Sequence, residues 1–287
     1  MKKPLFFGAC TALVTPFLHG QVNLPMLKIL LHRQEDAGIP AVVLFGTTGE
    51  SPTLTDEEKH WILTEARACF RGMLIAGTGS NDTAHAVTLS RQAEQDGADA
   101  LLVVSPYYNK ANEEGLIRHY RTIAQSVQIP VILYNVPSRT GVDIPVSVYR
   151  KLAEVPNIAG VKETVSDMKK LVEIADTCPE DFTVWCGSDE LTAAYLALGA
   201  KGVISVASNV MPEEVSDLTD AGLDGDFDTA LSLQIGLRPL NEFLFCEVNP
   251  IPVKALLKEM GLDCGSCRLP LTSLSEAHRG EMKSLLQ

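Results

Sequence analysis

Lys162 directly follows the apolar run Ile158-Ala159-Gly160-Val161. At the end of a buried strand, its amine is drawn at least partly out of water. An exposed lysine has a pKa of about 10.4 and is a poor nucleophile at neutral pH. Burial disfavours the cation and frees the amine, which can then form a Schiff base with a keto group. The competing role is a salt bridge, to Glu163 or to Glu50. Tyr134 closes another apolar run, and its phenol can relay a proton if it lies near Lys162 and a threonine hydroxyl. The plainer reading of Tyr134 is a half-buried strand aromatic. Thr47-Thr48, between Gly46 and Gly49, offer hydroxyls and turn N–H groups suited to a carboxylate. A tight turn would need the same glycines. Arg139 stands just past a run end, where its guanidinium can fork onto a substrate carboxylate. Otherwise it orders its loop on Asp143 or a backbone carbonyl.

Other chemistries find less support. His19, His32, His60, His85, His119 and His278 show no helical metal-ligand spacing, so a metal centre is not expected. Cys264-Gly265-Ser266-Cys267 is a CxxC without a second CxxC, and no role follows for it. Gly77-Thr78-Gly79 lacks the Lys-Ser/Thr of a phosphate loop.

Elements must hold these residues. Short, near-continuous apolar runs recur at 6–15, 41–45, 73–76, 100–104, 131–134, 158–161, 182–186 and 203–206. Such runs suit strands buried on both faces. The segments between them are amphipathic. Thr55-Asp56-Glu57-Glu58 reads as a capping box, and Asp82 or Thr83 opens a further helix. Gly38, Gly72, Gly97 and Gly199 precede strands, where a helix end favours left-handed geometry. Eight alternations in about 220 residues predict an α/β fold, a parallel (β/α)8 barrel. A doubly wound open sheet is the alternative, weakened because no glycine-rich dinucleotide fingerprint follows the first run. The barrel is expected over residues 1–225. A helical appendage is expected over 226–287: helices at 227–245 and 252–260, a last one from about Ser273, and a Gly/Asp-rich turn region at 220–228.

The chain has 287 residues with 46% hydrophobic and 21% charged, an ordinary globular composition. A net charge of −12 argues against nucleic acid and against an anionic membrane surface. It leaves a small anionic substrate open, held locally. Seven scattered cysteines, no secretory signal and no membrane-length apolar run point to the cytosol.

Taken together, these residues resemble the dihydrodipicolinate synthase / N-acetylneuraminate lyase family. Gly46-Thr47-Thr48-Gly49-Glu50-Ser51 is similar to its first motif, and Tyr134-Asn135-Val136-Pro137-Ser138-Arg139-Thr140-Gly141 followed by Gly160-Val161-Lys162-Glu163 to its second. Pro106-Tyr107-Tyr108-Asn109 and Asn249-Pro250-Ile251-Pro252-Val253-Lys254 look like the synthase branch. The resemblance spans residues 8–272. It implies a Schiff base between Lys162 and pyruvate, with the carboxylate on the Thr47–Thr48 loop. It implies a proton relay of Thr47, Tyr134 and Tyr108, the last reaching across a tight dimer. It further implies Arg139 on the carboxylate of L-aspartate-4-semialdehyde, Gly187 and Ile204 lining the pocket, no cofactor, and a homotetramer built as a dimer of dimers.

The implied reaction condenses pyruvate with the semialdehyde to 4-hydroxy-tetrahydrodipicolinate, a step toward diaminopimelate and lysine. Ser138-Arg139-Thr140 favours this over a sialate or keto-deoxy sugar acid aldolase. A catalytically silent keto-acid binder is the non-enzyme alternative, and the full relay argues against it. Ser51, Asn81 and Tyr107 match a family regulatory site. Asp56, Lys59 and His85 stand where lysine-inhibited members differ, so lysine feedback is expected to be weak or absent.

Overall fold

The computed structural model describes residues 2–285. The strands are β1 (Gly8–Ala12), β2 (Phe17–Leu18), β3 (Gln21–Val22), β4 (Ala41–Leu44), β5 (Met73–Gly77), β6 (Ala100–Val104), β7 (Val131–Asn135), β8 (Ile158–Glu163), β9 (Thr183–Cys186) and β10 (Gly202–Ser205). The helices are α1 (Leu24–Asp36), α2 (Asp56–Cys69), α3 (Thr83–Gln95), α4 (Glu113–Gln125), α5 (Pro137–Thr140), α6 (Val146–Ala153), α7 (Met168–Thr177), α8 (Thr192–Ala197), α9 (Pro212–Leu223), α10 (Phe227–Leu244), α11 (Ile251–Glu259) and α12 (Arg279–Leu285).

Strands β1 and β4 to β10 pair in parallel and close into a barrel, with β1 bonded to both β10 and β4. The open-sheet alternative is thereby overturned. β2 and β3 form a separate antiparallel ribbon. The eight apolar runs are the eight barrel strands. Alternate residues of each strand face inward or outward, and the core divides accordingly. Cys10, Val43, Ile75, Leu102, Ile132, Trp185 and Ile204 pack inside the barrel. Leu44, Leu74, Leu101, Leu133 and Val161 pack outward against the helices. Each large aliphatic side chain so buried contributes about 1.5–3 kcal/mol.

Local signals acted largely as read. Thr55 Oγ1 accepts from Glu58 N at 3.1 Å, and Glu58 Oε2 accepts from Thr55 N at 2.9 Å, a full capping box at the start of α2. Asp82, rather than Thr83, caps α3. Gly38, Gly97 and Gly199 have positive φ, as expected of residues just past helix ends. Gly72 does not; a side chain there would strike the Phe70 ring and the Pro40 carbonyl.

Three boundaries differ. Lys162 lies inside β8 rather than beyond it, because pairing with β7 continues to Glu163. The region 220–228 is not all turn. α9 runs to Leu223 and packs on β1 as an outer helix of the barrel. The last α-helix starts at Arg279, after a single 3₁₀ turn at Glu276–His278, rather than near Ser273. α10 packs on α8 and α9, and both α11 and α12 pack on α10. No helix among the described residues is long and apolar enough to cross a membrane.

Candidate active site

Tyr134 and Lys162 are direct partners in the β7–β8 register, and Lys162 pairs with Trp185 on its other side. All three side chains therefore share the inward face, because their neighbours Asn135 and Glu163 point out. Lys162 is 5% exposed and its Nζ lies 4.5 Å from the centre of the Tyr134 ring. Trp185 is fully buried and stacks on Phe6 with ring centres 5.1 Å apart. The lysine stem thus crosses an aromatic and aliphatic interior to reach the mouth.

Neither carboxylate considered for Lys162 pairs with it. Glu163 faces outward, accepts from Tyr149 Oη at 2.8 Å and Asn135 Nδ2 at 2.8 Å, and pairs with Lys170 at 3.2 Å. Glu50 pairs with Lys254 at 2.6 Å. Among the described residues, Lys162 has no salt-bridge partner. Its amine is left for chemistry.

Gly187 explains how the amine is aimed. A β-carbon at 187 would stand 2.9 Å from Lys162 Cε and 2.6 Å from Thr164 Cγ2. The missing side chain is the space that the lysine stem fills. Ile204 lies in the same interior cluster as Tyr134. Gly187 and Ile204 are thus beside the lysine, but neither borders the open cavity of about 540 Å³ at the barrel mouth. That cavity is bordered by Thr47, Tyr134, Arg139, Asn249 and Tyr107; Lys162 does not border it but lies against Tyr134, which does.

The loop after β4 is held from a distance. Phe45 and Glu50, which bracket Gly46-Thr47-Thr48-Gly49, both have left-handed φ, of 59° and 55°. Such values are uncommon for residues with side chains and need support from their surroundings. Asn249 Nδ2 donates to the buried Thr48 Oγ1 at 2.9 Å, Lys254 Nζ donates to Glu50 Oε1 at 2.6 Å, and Arg268 N donates to Glu50 Oε2 at 2.8 Å. The C-terminal segment therefore fixes the first motif. Thr48 Oγ1 accepts from Asn249, and of the two motif threonines Thr47 is the one that lines the cavity. Asn249 and Lys254 belong to a motif already visible in the sequence, yet their contact with the loop was not.

Asp189 was also missed. It is buried, and Val206 N and Ala207 N donate to its Oδ2 at 2.8 and 3.2 Å, tying the β9 end to the β10 end. Burial pushes its carboxyl above the usual range, and bonds from Ser205 and those two N–H groups oppose the shift.

Arg139 is exposed on α5 and lines the cavity. Asp143 does not hold it, because Asp143 bonds Asn135 Nδ2 at 2.7 Å and also pairs with Lys170. Tyr108 is 90% exposed at a left-handed φ of 71° and does not border its own chain's cavity. Ser51, Asp56, Lys59, His85 and Tyr107 all border the cavity, whereas Asn81 uses its carbonyl to accept from Asn109 Nδ2 at 2.9 Å. Desolvation lowers the Lys59 pKa, and Asp56, 3.8 Å away, opposes this. Cys264 is buried and Cys267 half-buried, both free, and burial raises both thiol pKa values, to about 12 and about 11.

Comparison with known proteins gives the family of the chain. A family model described as the dihydrodipicolinate synthetase family matches residues 5–287. The 4-hydroxy-tetrahydrodipicolinate synthase of Acetivibrio thermocellus is 45% identical over 289 residues, covering 100% of this chain and 98% of its own. A crystal structure of dihydrodipicolinate synthase from Aquifex aeolicus superposes with a TM-score of 0.96 at 46% identity, covering 98% of this chain and 97% of the other. A chloride-inhibited dihydrodipicolinate synthase from Acinetobacter baumannii, solved with pyruvate, gives 0.95 at 42% identity, with 98% of each chain covered. A closed barrel with an unpaired lysine under a tyrosine, matched along its whole length by these relatives, belongs to the dihydrodipicolinate synthetase family.

Proposed function

We propose that this chain is a lyase that condenses pyruvate with L-aspartate-4-semialdehyde to 4-hydroxy-tetrahydrodipicolinate. The observation that carries the reading is the Lys162 amine, buried, unpaired and 4.5 Å from the Tyr134 ring centre at the barrel mouth. The amine adds to the keto carbon of pyruvate and water leaves, giving an iminium. The iminium draws electrons from the methyl carbon, which loses a proton to give the enamine. That carbon attacks the aldehyde, and the alkoxide formed takes up a proton. The substrate's own amine then adds to the iminium carbon, closing the ring and expelling Lys162 as a free amine. No metal or organic cofactor enters this scheme.

Each proton step needs a nearby hydroxyl. Tyr134 is the phenol next to the lysine, and Thr47 is the threonine of the first motif that lines the cavity. Tyr108 completes the relay from a second copy of the chain. Its exposure of 90% in the isolated chain supports that assignment, since a tyrosine is seldom left so bare. A tight dimer, paired again into a homotetramer, follows from this reading, in the cytosol. The Thr47–Thr48 loop receives the pyruvate carboxylate. Arg139, a cation on the cavity with no ion-pair partner among the described residues, receives the carboxylate of the semialdehyde. Lysine feedback is weak or absent, because Asp56, Lys59 and His85, which border the cavity, stand where lysine-inhibited members of the family differ.

The test is to incubate with pyruvate and borohydride, digest, and map the reduced adduct. An adduct at Lys162 supports the reading, and its absence overturns it. The acceptor is then checked with Arg139→Ala, which must lose aspartate semialdehyde condensation. Unchanged condensation would return the choice to a sugar-acid aldolase.

A further inference from the structure

Cys246, just past the end of α10, and His278 and Glu281, at the start of the last helical segment, converge on one point. One ligand atom from each lies within 4.8 Å of the other two. These residues are separated from the catalytic lysine in both sequence and role, and the reaction does not use them. We propose that Cys246, His278 and Glu281 form a zinc-class divalent cation site that clips the C-terminal helix to the α10–α11 junction.

The donor set fits that ion. A thiol sulfur, an imidazole nitrogen and a carboxylate oxygen are the three ligand types of protein zinc, and three protein ligands leave a fourth position for water. A tetrahedral zinc, with Zn–S about 2.3 Å and Zn–N about 2.0–2.1 Å, sets its ligand atoms about 3.4–3.6 Å apart. The separations here are no wider than 4.8 Å, and Glu281 is exposed and free to swing in. Glu247 Oε1 lies 2.8 Å from His278 Nδ1 and fixes the ring. A carboxylate behind the imidazole is the usual support of a metal-bound histidine.

The site has a structural consequence. Cys246 and Glu247 immediately precede Val248 and Asn249, and Asn249 Nδ2 holds Thr48 Oγ1 at 2.9 Å. A cation that draws α12 onto this junction steadies the segment that positions the first motif.

The experiment titrates the full-length protein with cobalt(II) and zinc. Cobalt bound to a thiolate produces a near-ultraviolet charge-transfer band. We expect the band at one equivalent, its displacement by zinc, and a higher Tm with zinc. Cys246→Ser and His278→Ala must abolish the band. Glu247→Gln should weaken zinc binding by about 10–100-fold. Cys267→Ser, which removes half of the CxxC, must leave the band intact. No band in the wild-type protein, or a band lost with Cys267→Ser and kept with Cys246→Ser, overturns the proposal. Each variant, Lys162→Ala included, is first shown to fold by a wild-type circular dichroism spectrum and a cooperative unfolding transition. A Lys162→Ala protein should bind cobalt normally, which separates failure of this site from failure of the proposed reaction.

Discussion

Gly187 is the negative image of Lys162: a β-carbon at 187 would stand 2.9 Å from Lys162 Cε and 3.0 Å from its Cγ. The end of β9 therefore selects the path of the lysine stem, and any side chain there must push it aside. Gly187→Ala should form the pyruvate adduct poorly and lose about 10²-fold in kcat/KM, the scale for about 1 Å of misplacement. Gly236→Ala is the control, because nothing lies within 4 Å of a β-carbon there. Borohydride trapping and steady-state kinetics check both. A Gly187→Ala enzyme as active as wild type would refute the steric argument.

Tyr134 offers a cleaner test of the relay. Its ring lies against Lys162 and is 7% exposed, so Tyr134→Phe keeps the packing and removes only the hydroxyl. We expect kcat to fall by about 10²–10⁴, the usual worth of a positioned acid or base. Thermal stability should stay close to wild type.

The Glu50–Lys254 pair is almost fully buried, with side-chain exposures of 1% and 3%, and the Lys254 ammonium also sits 4.3 Å from the centre of the Phe17 ring. Removing one partner strands the other charge. Lys254→Met should cost about 3–5 kcal/mol of stability in urea unfolding. The double variant Glu50→Gln/Lys254→Met should cost less than Lys254→Met alone, since no charge is then left buried. Additive losses would show that the pair is not a unit.

His119 supplies a pH dependence. Burial lowers its pKa from 6.5 to about 4, with Asp82 opposing. Thr83 Oγ1 lies 2.9 Å from Nδ1, and Nε2 is buried with no hydrogen-bond partner among the described residues. Between these two pKa values the unfolded chain binds a proton that the folded chain refuses. The stabilisation is therefore complete above pH 6.5 and is lost as pH falls toward 4, by about 3 kcal/mol. His119→Gln should show a shallower loss of stability over that window, measured by unfolding at a series of pH values. An unchanged slope would place the acid sensitivity elsewhere.

Much of the site was readable from the chain because its determinants are local. Buried parallel strands are apolar along their length. Each barrel strand could thus be found as a run, and residues at run ends could be placed at the mouth. Lys162 and Tyr134 stood out for that reason. The capping box at Thr55 and Glu58 was likewise legible, since both its bonds span three residues. The end of α9 was misplaced because Gly222 and Gly225 resemble a turn. Packing of Gly222 against Leu196, with a would-be β-carbon 2.5 Å from Leu196 Cδ1, explains the first glycine without breaking the helix.

Composition and spacing thus specified the alternation of strands and helices and put a lysine at a barrel mouth. They could not say which carboxylate that lysine would meet. Glu50 is only four residues from the Gly46 that opens its loop, yet its cation is Lys254, 204 residues away. Thr48 is held by Asn249, 201 residues away. Pairings of that kind depend on how the closed barrel brings the C-terminal segment back across its own mouth. A charge finds its partner through space, and one-dimensional spacing carries no information about distance across a barrel. The lysine was legible because burial along a strand is local. Its freedom from a partner was not, because that freedom rests on where the chain's distant charges come to lie.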